Sequence, residues 1–216
     1  MANELERFIT DEQHSANMRA LAARGDIRRY RKGTILLQEG DTGDTMYILL
    51  HGSVKVCCID HNGREITFGV LGPGGHFGEM ALDGGPRSAN VITQETCVCA
   101  IVTRTTILDF IAGRPEFAME MLSQLIHRLR LATRDARNLA FIDVYGRLTR
   151  FLQDIAVAQP DGTRRIEARL THQEIASRVG CSREMVSRIL KDLVNGGHVR
   201  FDERRIVLVG RLPQRW

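Results

Sequence analysis

Two short stretches of this chain hold residue types and spacings that suit molecular recognition. In "CSREMVSRIL", residues 181–190, Arg183, Glu184 and Arg188 share a segment with Val186, Ile189 and Leu190. At helical spacing 184 and 188 fall on one face with 183 beside them, clear of the apolar stripe. An arginine offers two parallel N–H donors and a glutamate offers an acceptor, a set that matches the edges of guanine and cytosine. A solvated face with a few charges has the same look. In "FGEMALDGGPRSA", residues 77–89, Gly78 permits a sharp turn, and "EMAL" starts a short helix whose free N–H groups suit an anion. Arg87 adds a charged donor, and the Ser88 hydroxyl and Ala89 N–H add two more. The plain alternative is that Glu79 and Arg87 pair across the loop.

These stretches sit in a chain of 216 residues, room for one large or two small domains. With 43% hydrophobic and 26% charged residues it has the composition of an ordinary soluble protein. No apolar run is long enough to cross a bilayer, and "MANELERFIT" is no signal peptide. The expected location is the cytoplasm, with no membrane partner. Five cysteines, Cys57, Cys58, Cys97, Cys99 and Cys181, form no C-x-x-C pair and no Cys/His cluster, so small apolar filler is expected and no metal. Charge is uneven: residues 144–216 carry 14 Lys/Arg against 8 Asp/Glu, while the rest carry 16 against 18. A basic C-terminal third on a slightly acidic body is the footprint of a nucleic-acid-binding module joined to something else.

The pattern along the chain shows what must position the two stretches. Residues 5–22 have a loose helical period. From Ile27 to Val102 short β-type runs such as "MYILL", "GSVKVCCI" and "REITFGVL" alternate with glycine-rich turns, the texture of a barrel or double-sheet roll. "DHNGRE" predicts a hairpin turn with Gly63 at positive φ. From about Pro115 the period becomes helical, and Leu125, Leu129, Ala132, Ala136 and Leu139 form a heptad seam. A core-facing helix has the same stripe, but the length of this one and its narrowing to alanine favour a dimer-forming helix.

Near Phe141–Val144 the pattern breaks, and Asp143 is placed to cap the next helix. Thr171 and Glu174 have capping-box spacing, Gly180 permits a tight turn, Ser182 is placed to cap a second helix, and "NGG" ends it. "HVRF" and "RIVLV" follow as a small hairpin. Helix, glycine turn, helix and wing make a winged helix-turn-helix, whose second helix reads bases from its first turns. A glutamate facing DNA is repelled by phosphate unless a base donor meets it, so Glu184 favours readout over simple attraction.

"HQEIASRVGCSREMVSRIL", with "GSVKV", "FGEMAL", "PRSA" and "NLAFIDVYGR", resembles the cyclic-AMP receptor protein (CRP/FNR) family of bacterial transcription regulators over about residues 28–210. The resemblance implies an α+β protein in three parts. Residues 1–114 would be a cyclic-nucleotide-binding β jelly roll and 115–142 a long dimerisation helix. Residues 143–216 would be a C-terminal winged helix-turn-helix DNA-binding domain. It implies an effector, cAMP or a related cyclic nucleotide, bound by Gly78, Glu79, Met80, Arg87, Ser88, Ala89 and Thr133. There Glu79 would accept from the ribose 2′-hydroxyl and Arg87 would pair with the cyclic phosphate. It implies a DNA face of Thr171, Gln173, Ser182, Arg183, Glu184, Ser187 and Arg188, reading TGTGA-type half-sites of a double-stranded operator as a homodimer. RNA polymerase would meet the turn "QPDGT", residues 159–163. The chain departs from the pattern in two ways. Where the cyclic-AMP receptor has threonine then serine against the adenine, this chain has Ala132 and Thr133, and its loop between Glu79 and Arg87 is shorter. The base therefore stays open among cyclic AMP, cyclic GMP and cyclic di-GMP, as does activity without ligand.

Other classes fit less well. No Walker loop, G-x-S-x-G or H-E-x-x-H is present, so no enzyme is expected. A nucleotide-binding regulatory subunit of an enzyme needs no base-reading trio. An iron–sulfur sensor of the family needs N-terminal cysteines, and none precedes Cys57. His51 and His76 read as turn residues rather than haem ligands.

Overall fold

The structure is a computed structural model that describes residues 2–61 and 63–213. The chain divides into two compact units, one of Met1–Gly63 with Thr67–Ile126 and one of Arg64–Ile66 with His127–Trp216.

The first unit opens with helices α1 (Ala2–Thr10) and α2 (Ala16–Ala22). The single loose period expected over 5–22 is interrupted at Ser15, whose hydroxyl caps α2 by accepting from the Met18 N–H at 3.0 Å. Eight strands follow: β1 (Asp26–Tyr30), β2 (Ile35–Leu37), β3 (Thr45–His51), β4 (Val54–Ile59), β5 (Glu65–Leu71), β6 (His76–Phe77), β7 (Asn90–Thr93) and β8 (Cys97–Thr103). They form two four-stranded sheets, ordered β1-β8-β3-β6 and β2-β7-β4-β5. Gly63 has φ +73°, as the hairpin expectation requires.

Strand periodicity explains the core. Met46, Ile48 and Leu50 of β3 join Val98, Ala100 and Val102 of β8 under the helices, packed with Phe8, Leu21, Ile107, Phe110 and Phe117. Leu49, Cys97 and Cys99 face the other way, toward Leu37, Val54 and Val91 of the second sheet. Covered on both faces, β8 is apolar at nearly every position. Cys57, Cys97 and Cys99 are buried free thiols that serve as small apolar side chains. Burial pushes the Cys99 thiol up to about 12.

The expected start of the helical region at Pro115 is late. Helix α3 (Arg104–Gly113) precedes it, capped by the Thr103 hydroxyl and seated on Ile107 and Phe110. Its apolar run, Ile107-Leu108-Asp109-Phe110-Ile111, is too short for periodicity to tell helix from strand. Arg24 and Arg114 stack over Phe110, 5.0 and 5.3 Å from the ring centre. Helix α4 (Pro115–Phe141) spans 27 residues and crosses the division between the units. It anchors Phe117 and Met121, while Leu125, Leu129 and Leu139 of the seam are exposed by 38%, 66% and 52%.

In the second unit Asp143 caps helix α5 (Val144–Ile155), its carboxylate accepting from the Gly146 N–H at 2.7 Å. Then come β9 (Val157–Ala158), β10 (Arg164–Arg165), α6 (His172–Val179), α7 (Arg183–Asn195), β11 (Val199–Asp202) and β12 (Arg205–Leu208). The expected two-stranded wing is part of a four-stranded sheet, β11-β12-β10-β9. Two-residue strands leave no alternation to detect, which is why β9 and β10 escape a pattern search. Leu148, Leu152, Ile166, Ile175, Leu190, Leu193 and Leu208 form its core.

Candidate anion loop and candidate nucleic-acid interface

The first candidate site is the loop between β6 and β7. Gly78 has φ +87°, and a Cβ there would stand 2.9 Å from both Arg87 Nη1 and the Thr45 carbonyl oxygen. Only glycine fits this turn. Arg87 is 6% exposed; its Nη1 donates to the Gly78 carbonyl at 2.8 Å and its Nη2 to the Thr45 hydroxyl at 3.1 Å. Its backbone is clasped as well: Arg87 N donates to the Asp41 carbonyl at 2.8 Å and Gly40 N to the Arg87 carbonyl at 2.9 Å. These contacts fix the guanidinium through neutral oxygens, which leaves its charge for an anion.

Glu79, 7% exposed, opens a 3₁₀ turn over Glu79–Asp83 where a short helix is expected. The Ser88 hydroxyl lies 3.2 Å from the Met80 sulfur, Met80 is 57% exposed and Ala89 is buried. Gly78, Glu79, Met80, Arg87, Ser88 and Ala89 thus share one loop. Thr133 lies in the other unit, and its hydroxyl donates to the Leu129 carbonyl of its own helix at 2.9 Å. Sequence reasoning misses Thr45 and Gly43, both set against Arg87; a Cβ on Gly43 would meet Nη2 at 2.8 Å. "EGDTGD" signals a turn, but nothing in it points to a residue about 40 positions away.

The second candidate site is built on α6 and α7. Thr171 and Glu174 complete the capping box: the Thr171 N–H donates to Glu174 Oε2 at 2.7 Å and the Glu174 N–H to Thr171 Oγ1 at 3.2 Å. Gly180 ends α6 in the left-handed region at φ +70°. Ser182 starts α7 by accepting from the Met185 N–H at 3.2 Å. Val186, Ile189, Leu190 and Leu193 are buried. That leaves Arg183, Glu184 and Arg188 exposed, with Ser182, Thr171 and Gln173 exposed nearby.

The Glu184 carboxyl is held below the usual carboxylate range, first by its own backbone N–H, then by the Ser182 hydroxyl and the Arg183 charge. Ser187 is engaged inside the protein: its hydroxyl donates to the Arg183 carbonyl at 3.0 Å and lies 2.7 Å from His172 Nδ1. His172 is absent from the sequence-derived set, since this contact joins two helices. Behind the turn, Arg147 donates to the carbonyls of Ile142 (2.7 Å), Val179 (3.0 Å) and Gly180 (3.3 Å). At the tip of the β11–β12 hairpin Glu203 and Arg204 take φ values of +44° and +67°. Among the described residues no group of three or more His, Cys, Asp or Glu is gathered to hold a metal ion, and no helix is long and apolar enough to cross a membrane.

Comparison with known proteins assigns a family to each of the two regions. The cyclic nucleotide-binding domain family matches residues 27–114, and the Crp-like helix-turn-helix domain family matches residues 146–211. The chain is 34% identical to the cAMP-activated global transcriptional regulator CRP of Haemophilus influenzae, over 97% of this chain and 99% of that one. It is 34% identical to the cAMP-activated global transcriptional regulator Vfr of Pseudomonas aeruginosa, covering 94% and 98%. Among solved structures, the c-di-GMP responsive global regulator CLP of Xanthomonas campestris aligns with a TM-score of 0.78 at 30% identity, covering 91% of this chain and 100% of that one.

Proposed function

The chain belongs to the CRP/FNR family of transcription regulators, and from that premise we propose that it is a homodimeric, non-enzymatic operator-binding protein of the cytoplasm whose DNA affinity is set by a cyclic nucleotide, most simply cyclic AMP. Residues 1–114 would capture the effector, 115–142 pair the protomers and 143–216 bind DNA. The observation that carries the reading is α7: capped by Ser182, buried along Val186, Ile189, Leu190 and Leu193, and presenting Arg183, Glu184 and Arg188 from its first turns.

Arginine forks suit guanine O6 and N7, and the ionised Glu184 suits cytosine N4, as a TGTGA-type half-site offers. In a two-fold dimer the recognition helices would enter major grooves roughly 34 Å apart. Arg87 would bind the cyclic phosphate, Glu79 the ribose, and Gly78, Met80, Ser88, Ala89 and Thr133 the rest of the ligand. Thr171, Gln173, Ser182 and Ser187 would flank the base-reading trio. Ligand binding would favour one arrangement of the paired α4 helices, with coupling worth roughly 5- to 150-fold in DNA affinity. The turn at 159–163 would meet RNA polymerase.

A second reading keeps the DNA face and replaces the effector with cyclic di-GMP. The likeness to CLP favours it, and Ala132, which offers no hydrogen bond to a purine amine, removes one support for the first reading. Anisotropy on a TGTGA-N6-TCACA duplex at fixed salt decides between them. Tightening with cyclic AMP, lost in Arg87→Ala, supports the first reading. Tightening or release with cyclic di-GMP alone supports the second. Equal binding in every condition would remove the nucleotide from the mechanism.

A further inference from the structure

We propose that His172 is a proton-gated contact of the DNA-binding face, its ring held on Ser187 through Nδ1 and presenting Nε2 to the DNA phosphates, so that protonation strengthens operator binding. This rests on the reading that α7 enters DNA.

His172 is the first residue of α6, half-buried, with Nδ1 2.7 Å from Ser187 Oγ on α7. The Ser187 hydroxyl has one proton, and it goes to the Arg183 carbonyl at 3.0 Å. With the hydroxyl proton so placed, the other contact takes the ring's Nδ1–H tautomer, donating to Oγ, and the donor and acceptor roles depend on that tautomer. The neutral ring then keeps a bare Nε2, which the shape of imidazole turns away from Ser187. A bare nitrogen is an acceptor and repels a phosphate oxygen. With a proton it becomes a charged donor, while the Nδ1 contact stays as it was. One end of the ring is fixed, and the other has two states.

The surrounding charges favour a DNA anion over a protein one as its partner. Glu174 on α6 accepts from the Thr171 N–H at 2.7 Å and the Thr171 hydroxyl at 2.8 Å. Helix α7 brings Arg183, Arg188 and Lys191 against Glu184 and Asp192, and α5, also packed on α6, brings Arg147 and Arg150 against Asp154. Arg169 precedes the helix. Cations outnumber anions among these residues, which suits a phosphate-facing surface.

The test is operator anisotropy at pH 8 and pH 6 over a salt series, with the effector condition that gives tightest binding. Wild-type protein should tighten roughly two- to fivefold at the lower pH, the scale of one exposed ion pair. Its log-affinity against log-salt slope should steepen by up to about one. His172→Gln should lose both changes. Ser187→Ala keeps the imidazole but releases it from α7, and should keep less than half of the pH effect. The other histidines are common to all three proteins and cancel in the comparison. A wild-type pH ratio and salt slope retained in His172→Gln would overturn the proposal, as would operator binding by wild type that ignores pH. No operator binding by wild type at any pH would take down the DNA reading beneath it as well.

Discussion

Glu184 is useful to a DNA-reading helix only while it is charged. It stands at the second position of α7, and its own backbone N–H, the Ser182 hydroxyl and the Arg183 charge hold its carboxyl below the usual range. A lowered value means that the charged form persists to more acid pH, and is lost only as pH falls through that lowered value. Discrimination at the cytosine of the half-site should therefore be the same at pH 8 and pH 6, even as overall affinity shifts through His172. Glu184→Ala should remove roughly 1–3 kcal/mol of that discrimination, read from competition between matched and mismatched operators. Equal losses on every operator variant would show that the residue attracts rather than reads. The proposed base-reading trio is legible in the sequence because it lies within one helix, where spacing alone fixes a face. The His172–Ser187 contact and the Thr45 support of Arg87 are not, because each joins residues that only folding brings together.

At the scale of elements, legibility follows the length and regularity of each pattern. Caps and glycine turns place α6 and α7 within a residue or so, since each boundary has its own chemical cause: a Thr171 capping box, a left-handed Gly180, a Ser182 hydroxyl. Strands β9 and β10 lack such marks, and α3, though capped by Thr103, is too short for its period to stand out. The β11–β12 hairpin carries a feature no pattern announces, two consecutive left-handed residues, Glu203 and Arg204, neither of them glycine. This backbone suits the twist of a two-residue hairpin but costs about 1–2 kcal/mol for each ordinary side chain. Replacing the pair with Asn-Gly should raise the stability of the DNA-binding unit by about 1–2 kcal/mol, measured as a higher urea midpoint with unchanged slope. A lower midpoint would mean that the two side chains contribute more than their backbone costs.

At the scale of the whole molecule, α4 carries Leu125, Leu129 and Leu139 into solvent along one seam. The heptad is readable from sequence, and its exposure in the single chain is what the dimer reading needs. Purified protein should elute and scatter light at twice 24.3 kDa. Leu129→Glu, which puts a charge where the seam is 66% exposed, should shift it toward the monomer and weaken operator binding. A variant that stays dimeric would place the interface elsewhere.

Arg147 bears on how motion passes through the DNA-binding unit. Its guanidinium holds the Ile142 carbonyl at the end of α4 and the Val179 and Gly180 carbonyls at the turn before α7. Leu139 closes the same gap, 3.3 Å from where a Cβ on Gly180 would stand. An engineer would call this a joint without backlash: the turn and the helix end are meshed, with no free travel between them. On the proposed function, rotation imposed at Ile142 would pass through these contacts to the recognition turn, and a small input stroke would then bring the reading face into or out of register.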